Sequence, residues 1–268
     1  MTALAARWTA ARFRMQIRNP RAAVFTVLFP LIMLVLFSAL YGNSDVDAYG
    51  QKVRYAQFYA PSIAIFSLVT ACYTTLVVAL ANARDQGLLK RVRGTPLPPA
   101  IYIAARILAV TLIAVISVVL VMGAGMLLYG IRPYPDRLPA ALLVLVVGCF
   151  TFAALGLMVV ALCRASETTQ AVANATLLPL AFLSNIFIRP FHDLPFWMTM
   201  AADIFPLKHF ALAFGDAFRP DLAGSGFAWY SANGIYAMLP HLTNMLAWSC
   251  AATIIAVQQF SWDPAESR

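Results

Sequence analysis

Five stretches of this chain run for more than twenty residues without an Asp, Glu, Lys or Arg. They are Ala22–Ser44, Tyr55–Ala83, Ile107–Ile131, Leu138–Cys163 and Thr168–Ile188, of 23, 29, 25, 26 and 21 residues. A sixth, Leu222–Trp262, is 41 residues long and holds one clear apolar segment near Leu239–Phe260. A helix of roughly 20 mostly apolar residues crosses the hydrocarbon core of a bilayer. Each run therefore predicts one crossing, and the fold class expected is an all-α membrane protein with six transmembrane helices.

Composition closes off the alternatives. Hydrophobic residues make up 62% of the chain and charged residues 11%, against roughly 25% charged in a soluble domain. A soluble enzyme, a disordered tail and a fibrous protein are excluded. The net charge of +8 sits between apolar runs rather than on one soluble face, so its partner is the lipid bilayer and not nucleic acid. The 16 Arg to 3 Lys suggest a GC-rich bacterial genome. Arg7, Arg12, Arg14, Arg18 and Arg21 precede the first span; Arg84, Lys90, Arg91, Arg93 and Arg106 lie between the second and third. With Arg164 and Arg268 they put 12 basic residues on one side against 7 on the other. The richer side is cytoplasmic by the positive-inside rule, which places both termini inside a bacterial cytoplasmic membrane. Cys72, Cys149, Cys163 and Cys250 all fall in apolar runs and read as buried hydrophobes rather than a disulfide framework.

The whole of 1–268 reads as a single transmembrane domain. Its first apolar run is too long for a cleavable leader. Within 1–21, residues Leu4, Trp8, Ala11 and Met15 share a face beside Arg7, Arg14, Arg18 and Arg21, the pattern of a basic helix lying on the membrane. Spans one to five occupy 22–188, and the sixth occupies 237–262. The segment 189–236 is too apolar for an ordinary outer loop and is broken by prolines; Asp193 before Pro195 and Asp203 before Pro206 mark two helix starts. Two short re-entrant helices are expected there, tolerated in a membrane only where their backbone ends are covered.

No phosphate-binding, metalloprotease or nucleophile-elbow motif is present, so the chain is expected to be no enzyme, with no nucleotide site of its own. His192, His209 and His241 are scattered and predict no metal site. The spans carry no Asp, Glu, Lys or Arg, which argues against a proton- or sodium-coupled carrier. Their polarity is neutral: Gln170, Asn174, Ala181 and Asn185 fall within about 60° on a helical wheel, and Ser67, Thr70 and Thr74 form a milder stripe. These residues either bond neighbouring helices or, with Phe182, line a substrate path.

The most specific segment joins the second and third spans: Arg84-Asp85-Gln86-Gly87-Leu88-Leu89-Lys90-Arg91-Val92-Arg93-Gly94-Thr95-Pro96-Leu97. Leu88, Leu89 and Val92 form an apolar side, Lys90 and Arg91 point elsewhere, and Gly94 and Pro96 stop the helix. That is the pattern of a docking helix for a cytoplasmic partner. The segment resembles the R-E-x-G-x-x-x-x-L-x-x-T/S-P stretch of ABC-2-type transporter membrane subunits. Arg84, Gly87, Thr95 and Pro96 match it, with Asp85 where Glu is commoner and Val92 where Leu is commoner. Phe205-Pro206-Leu207-Lys208-His209 is similar to the family's N-P-L-T-H/Y element, with Phe205 replacing Asn.

The resemblance implies a permease subunit that pairs with a second permease, identical or related, above two copies of a separate ATP-binding subunit. ATP and Mg would be bound by that partner, and this chain would hold no cofactor. Residues 84–97 would form the main coupling element, and Arg164–Glu167 a smaller contact. The second and fifth spans would line the path. The short-loop form looks most like exporters of drugs or hydrophobic metabolites. Aromatic residues Phe182, Phe187, Phe191, Phe196 and Trp197 keep open a lipid-linked polysaccharide or glycolipid as cargo. A channel or carrier that needs no ATP is the rival of another class. The topology predicts that single cysteines at Ser44 and Asp136, in a cysteine-free background, label from outside intact cells. Cysteines at Ala5 and Gln86 should label only after permeabilisation, and outside labelling at Gln86 would invert the orientation.

Overall fold

The second apolar run becomes the central element of the molecule. The computed structural model describes residues 8–11, 13–14, 20–41, 44–48, 51–95, 98–184, 186, 195–219 and 234–262. In it, α1 (Pro20–Tyr41) leads into a hairpin, and the second run forms one unbroken helix. That helix comprises α2 (Ala56–Val69), a wider π-type winding over Thr70–Thr75, and α3 (Leu76–Asp85). In α2 every residue but Phe58 and Ser62 is buried, because α1, α5 (Pro99–Tyr129), α6 (Leu138–Leu162) and α9 (Pro206–Gly215) pack around it. The remaining elements are α4 (Leu88–Arg93), α7 (Ser166–Leu183), α8 (Phe196–Ile204) and α10 (Gly234–Gln259).

By length and apolarity, three helices can cross a membrane among the described residues: Ala56–Asp85, Ala100–Tyr129 and Pro135–Leu162. These are the second, third and fourth of the expected spans. The first corresponds to α1, of 22 residues, within which Leu28–Leu40 is an apolar stretch. The fifth, α7, has 18 residues and opens on Ser166, Glu167, Thr168, Thr169 and Gln170. The sixth, α10, carries Pro240, His241, Thr243, Asn244 and Ser249. Exposed apolar stripes mark the outer surface, with Leu108, Leu112, Val115, Val119 and Leu120 on α5 and Ile32, Val35, Leu36 and Leu40 on α1. Water would not tolerate such stripes on a single chain, whereas lipid covers them.

The fold is not wholly helical. Asp45–Ala48 (β1) and Gln51–Arg54 (β2) pair antiparallel, Asp45 opposite Arg54 and Val46 opposite Val53. Arg54 Nη1 then donates to Tyr129 O at 2.9 Å, placing a cation on the C-terminal carbonyls of α5, where the helix dipole favours it. Beside it the buried Gln57 Nε2 donates to Arg132 O (2.6 Å) and Phe218 O (2.9 Å), and its Oε1 accepts from Arg132 N (3.0 Å). One amide thus ties the start of the second span to two loops of the hairpin end.

Two short helices, α8 and α9, stand where the prolines predicted them. Asp203 does not act as the expected cap of α9. The residue before α9 is Phe205, and Asp203 lies inside α8 with its carboxylate 2.6 Å from Lys208 Nζ. The expected cap at Asp193 lies outside the described residues, as do 1–7, Arg12 and 15–19 of the basic leader. Trp8 packs edge-on against Tyr102 of α5, with ring centroids 6.3 Å apart.

The closest approach between α6 and α9 occurs at Gly148. A Cβ there would lie 2.3 Å from Cζ of Phe210, a ring that is itself fully buried and cannot swing away. Gly148→Ala is therefore expected to destabilise by about 1–3 kcal/mol through overpacking. Gly148→Ala with Phe210→Leu should recover most of that loss, as read by thermal unfolding in detergent.

Candidate functional site

At the basic end, two adjacent side chains close two other helices. Arg84, 2% exposed, donates through Nη1 to Val160 O at 2.7 Å and through Nη2 to Arg164 O at 2.6 Å. Val160 lies in the last turn of α6, whose carbonyls have no partner within the helix. Asp85 reaches the same turn and accepts from Ser166 N at 3.0 Å, the first amide of α7. A cation therefore sits at one helix C-terminus and an anion at the next helix N-terminus, as the two dipoles favour. Gln170 Nε2 adds a bond to Asn82 Oδ1 at 3.1 Å. The end of the second span is bolted across the whole α6–α7 turn.

Gly87 follows with φ +67°, a left-handed conformation that glycine adopts without the usual Cβ penalty. It breaks the helix, and α4 begins at Leu88. The segment from Arg84 onwards is thus two helical pieces joined at Gly87. Gly94 stops α4 as anticipated, and Thr95 Oγ1 donates to Val92 O at 2.7 Å.

The exposed and buried sides of α4 differ from the sequence reading. Leu89 and Val92, expected to face a partner, are 0% and 6% exposed and belong to this chain's own core. Leu88 is half-buried, while Lys90, Arg91, Arg93 and Thr95 face outward. Arg164 and Glu167 are exposed on the neighbouring turn. The surface of this end is basic and polar, laid over an apolar anchor. Pro96 lies outside the described residues.

The polar stripe divides. Ser67 is fully buried and its hydroxyl meets that of Ser117 on α5. Thr70 donates to Phe66 O at 2.8 Å within its own helix, and Gln170 is committed to Asn82. Thr74 is half-buried. Asn174 and Phe182 are exposed, on a face of α7 shared with Ala171, Ala175 and Leu178. Asn185 lies outside the described residues. Packing thus accounts for Ser67 and Gln170, and an open face remains for Asn174 and Phe182.

The break between α8 and α9 lies beside the middle of α10. Trp248 Nε1 donates to Ile204 O at 2.8 Å, and Asn244 Nδ2 to Ile204 O and Asp203 O at 3.3 and 3.4 Å. The Phe205 and Trp248 rings stack 5.8 Å apart. His209 Nε2 lies 2.8 Å from Asp203 O; since a carbonyl only accepts, that nitrogen carries the proton. In the neutral ring His209 Nδ1 is then the acceptor towards His241 Nδ1, 2.7 Å away. The carbonyls released at the break are covered by protein, the condition for such a turn inside a membrane.

Comparison with known proteins fits this layout. The family model for the ABC-2 type transporter membrane domain matches residues 7–218. The chain belongs to that family. It is 32% identical over 200 residues to the daunorubicin resistance ABC transporter permease protein DrrB1 of Streptomyces coeruleorubidus, covering 72% of this chain and 67% of that one. The Bacillus subtilis permease YvfS is 24% identical over 200 residues, 75% of this chain and 79% of that one. The Escherichia coli permease YbhR, whose name assigns it to multidrug ABC transport, is 23% identical over 164 residues, 60% of this chain and 44% of that one. This is accordingly a membrane permease chain of an ABC-2 transporter.

Sequence reasoning missed the capping by Arg84 and Asp85, the Asn82–Gln170 bond and the Gln57 staple. The signal for the first was present: Arg84-Asp85 ends one apolar run, and the loop Arg164–Glu167 separates two others on the same side. Arg84→Ala would remove two charge-assisted bonds and leave buried carbonyls open, which costs at least about 2 kcal/mol. Arg91→Ala, on the exposed side, should leave thermal stability within about 0.5 kcal/mol. Unfolding curves of both variants check the contrast.

Proposed function

We propose that this permease is the membrane half of an ATP-driven exporter that moves a hydrophobic, drug-like small molecule out across the bacterial cytoplasmic membrane. The observation that carries the reading is the joint at the basic end. A surface helix is anchored by Leu89 and Val92, presents Lys90, Arg91 and Arg93, and is held to the central span through Arg84. The mechanical requirement for coupling is that a push on the surface reaches the membrane helices through rigid contacts. Here a displacement of α4 passes through its apolar anchor to α3 and α5, and Arg84 and Asp85 carry it to α6 and α7.

Two copies of an ATP-binding subunit, supplying ATP and Mg from their own sites, would dock on this surface. A second permease would pair with the exposed face of α7 bearing Asn174 and Phe182. In this reading both termini are cytoplasmic, and α8 and α9 enter and leave the outer half of the membrane. The drug-like cargo follows the names of the relatives, one a daunorubicin resistance permease and one assigned to multidrug transport.

Charged rims govern association rate and salt dependence, whereas truncation of a buried anchor disrupts the element itself. Lys90→Glu, Arg91→Glu and Arg93→Glu combined should reduce co-purification of the ATP-binding subunit at least tenfold and leave permease stability unchanged. Leu89→Asp should instead lower permease yield and thermal stability, because that side chain is internal. A triple variant that still binds the ATPase and supports efflux in proteoliposomes would refute the docking surface. Efflux without any ATPase would point to the channel or carrier class.

A further inference from the structure

A cavity of about 240 Å³ opens between the π-wound segment of the second span, α6, α7, the α8–α9 break and α10. Tyr73, Phe152, Leu177, Phe205 and Trp248 form much of its wall, and no Asp, Glu, Lys, Arg or His lines it. It is separate from the basic end, and the residues singled out as a substrate path do not line it. It is built from one chain alone.

The hydroxyl and indole groups on the wall already have partners. Thr176 Oγ1 lies 2.8 Å from Val172 O, and since a carbonyl only accepts, the threonine donates there. Thr176 therefore accepts from the Tyr73 hydroxyl, 2.7 Å away. The Trp248 N–H is committed to Ile204 O. A guest carrying a charge or an amide would lose its water here without a replacement bond, at a cost of a few kcal/mol. An uncharged hydrocarbon guest incurs no such loss. For scale, an apolar cavity of about 150 Å³ stays dry and binds benzene, so this one holds roughly two fused rings or a comparable length of alkyl chain.

We propose that this intrasubunit cavity is a binding site for an uncharged hydrocarbon moiety of about two-ring size. That chemistry has two sources, a ring system of the transported molecule or an acyl chain of the bilayer. The first rests on the export reading; the site itself does not. A guest here lies against two irregular segments at once, the π winding through Tyr73 and the helix break through Phe205. It therefore touches both the helix that carries Arg84 near its end and the pair α8–α9.

The test uses the purified full chain in lipid nanodiscs with two photoreactive probes, a neutral naphthyl diazirine and a phosphatidylcholine carrying a diazirine in its acyl chain. Cross-linked residues are mapped by mass spectrometry. Saturable labelling of the segments around Leu155–Val159 and Leu177–Leu180 is expected. Leu180→Trp, at the half-buried rim, should reduce it at least tenfold without moving the unfolding temperature. Labelling of Leu112 and Val119 on the lipid face should stay unsaturable and unchanged. Should Leu180→Trp fold poorly, Leu155→Phe gives the same comparison with a smaller plug. Displacement of the naphthyl probe by excess naphthalene identifies a ring site, and saturable labelling by the lipid probe that naphthalene leaves intact identifies an acyl-chain site. Pocket labelling that rises linearly with both probes, or that ignores both plugs, overturns the proposal. Since no ATPase is present, loss of efflux in the docking experiment leaves this result standing, and the reverse holds equally.

Discussion

A helix that ends inside or at the edge of a membrane leaves four carbonyls or four amides without partners, and lipid supplies none. The arrangement of this chain follows from how those groups are covered. Arg84 takes the carbonyls at the end of α6, and Asp85 takes the first amide of α7. Arg54 takes the end of α5, and Asn244, Trp248 and His209 take the end of α8. In each case the partner comes from a different element, so satisfying a helix end also fixes how two elements lie against each other. Apolar packing in lipid gives little net drive for association, so these end-to-side bonds bear more of the specificity than they would in water.

The same logic shows which parts of the molecule were legible in the sequence. Charge-free runs located the helices, because an apolar stretch of twenty residues leaves few alternatives. They placed the boundaries less well: α5 begins at Pro99, eight residues before its run, and includes Arg106. A run defined by the absence of charge stops at a charge even when the helix does not. Arg106 stays in the helix because its Nη1 reaches Ala79 O at 2.5 Å and its guanidinium lies over the Tyr102 ring. The hairpin was missed although polar and apolar residues alternate over Asp45–Ala48 just before Tyr49-Gly50, since attention to long runs hides four-residue strands.

At the basic end the motif drew attention to a segment whose apolar side the structure turns inward. Periodicity reveals that Leu88, Leu89 and Val92 share a face; it cannot tell whether that face meets a partner or the chain's own α3 and α5. Burial decides it, and puts the arginines outward. The polar stripe shows the reverse ambiguity. Ser67 and Gln170 were visible as polar, but only their neighbours Ser117 and Asn82 reveal that they lock helices together. Those neighbours are 50 and 88 residues away in sequence.

The π winding at Thr70–Thr75 gives the central span one residue more than straight α-helical winding needs, because its bonds close over five residues rather than four. The helix consequently has two independently phased halves. The half at the hairpin end keys Ala56–Val69 into α1, α5 and α9, and the other half aims Arg84 at α6. Removing one residue from the winding would rotate everything beyond it by about 100°, and Arg84 would leave its carbonyls for a different face. A length change of a single residue in this stretch acts as a dial on the angle between the two ends of the molecule. Related permeases with the same apolar runs but a different count here would present their surface helix in a different direction.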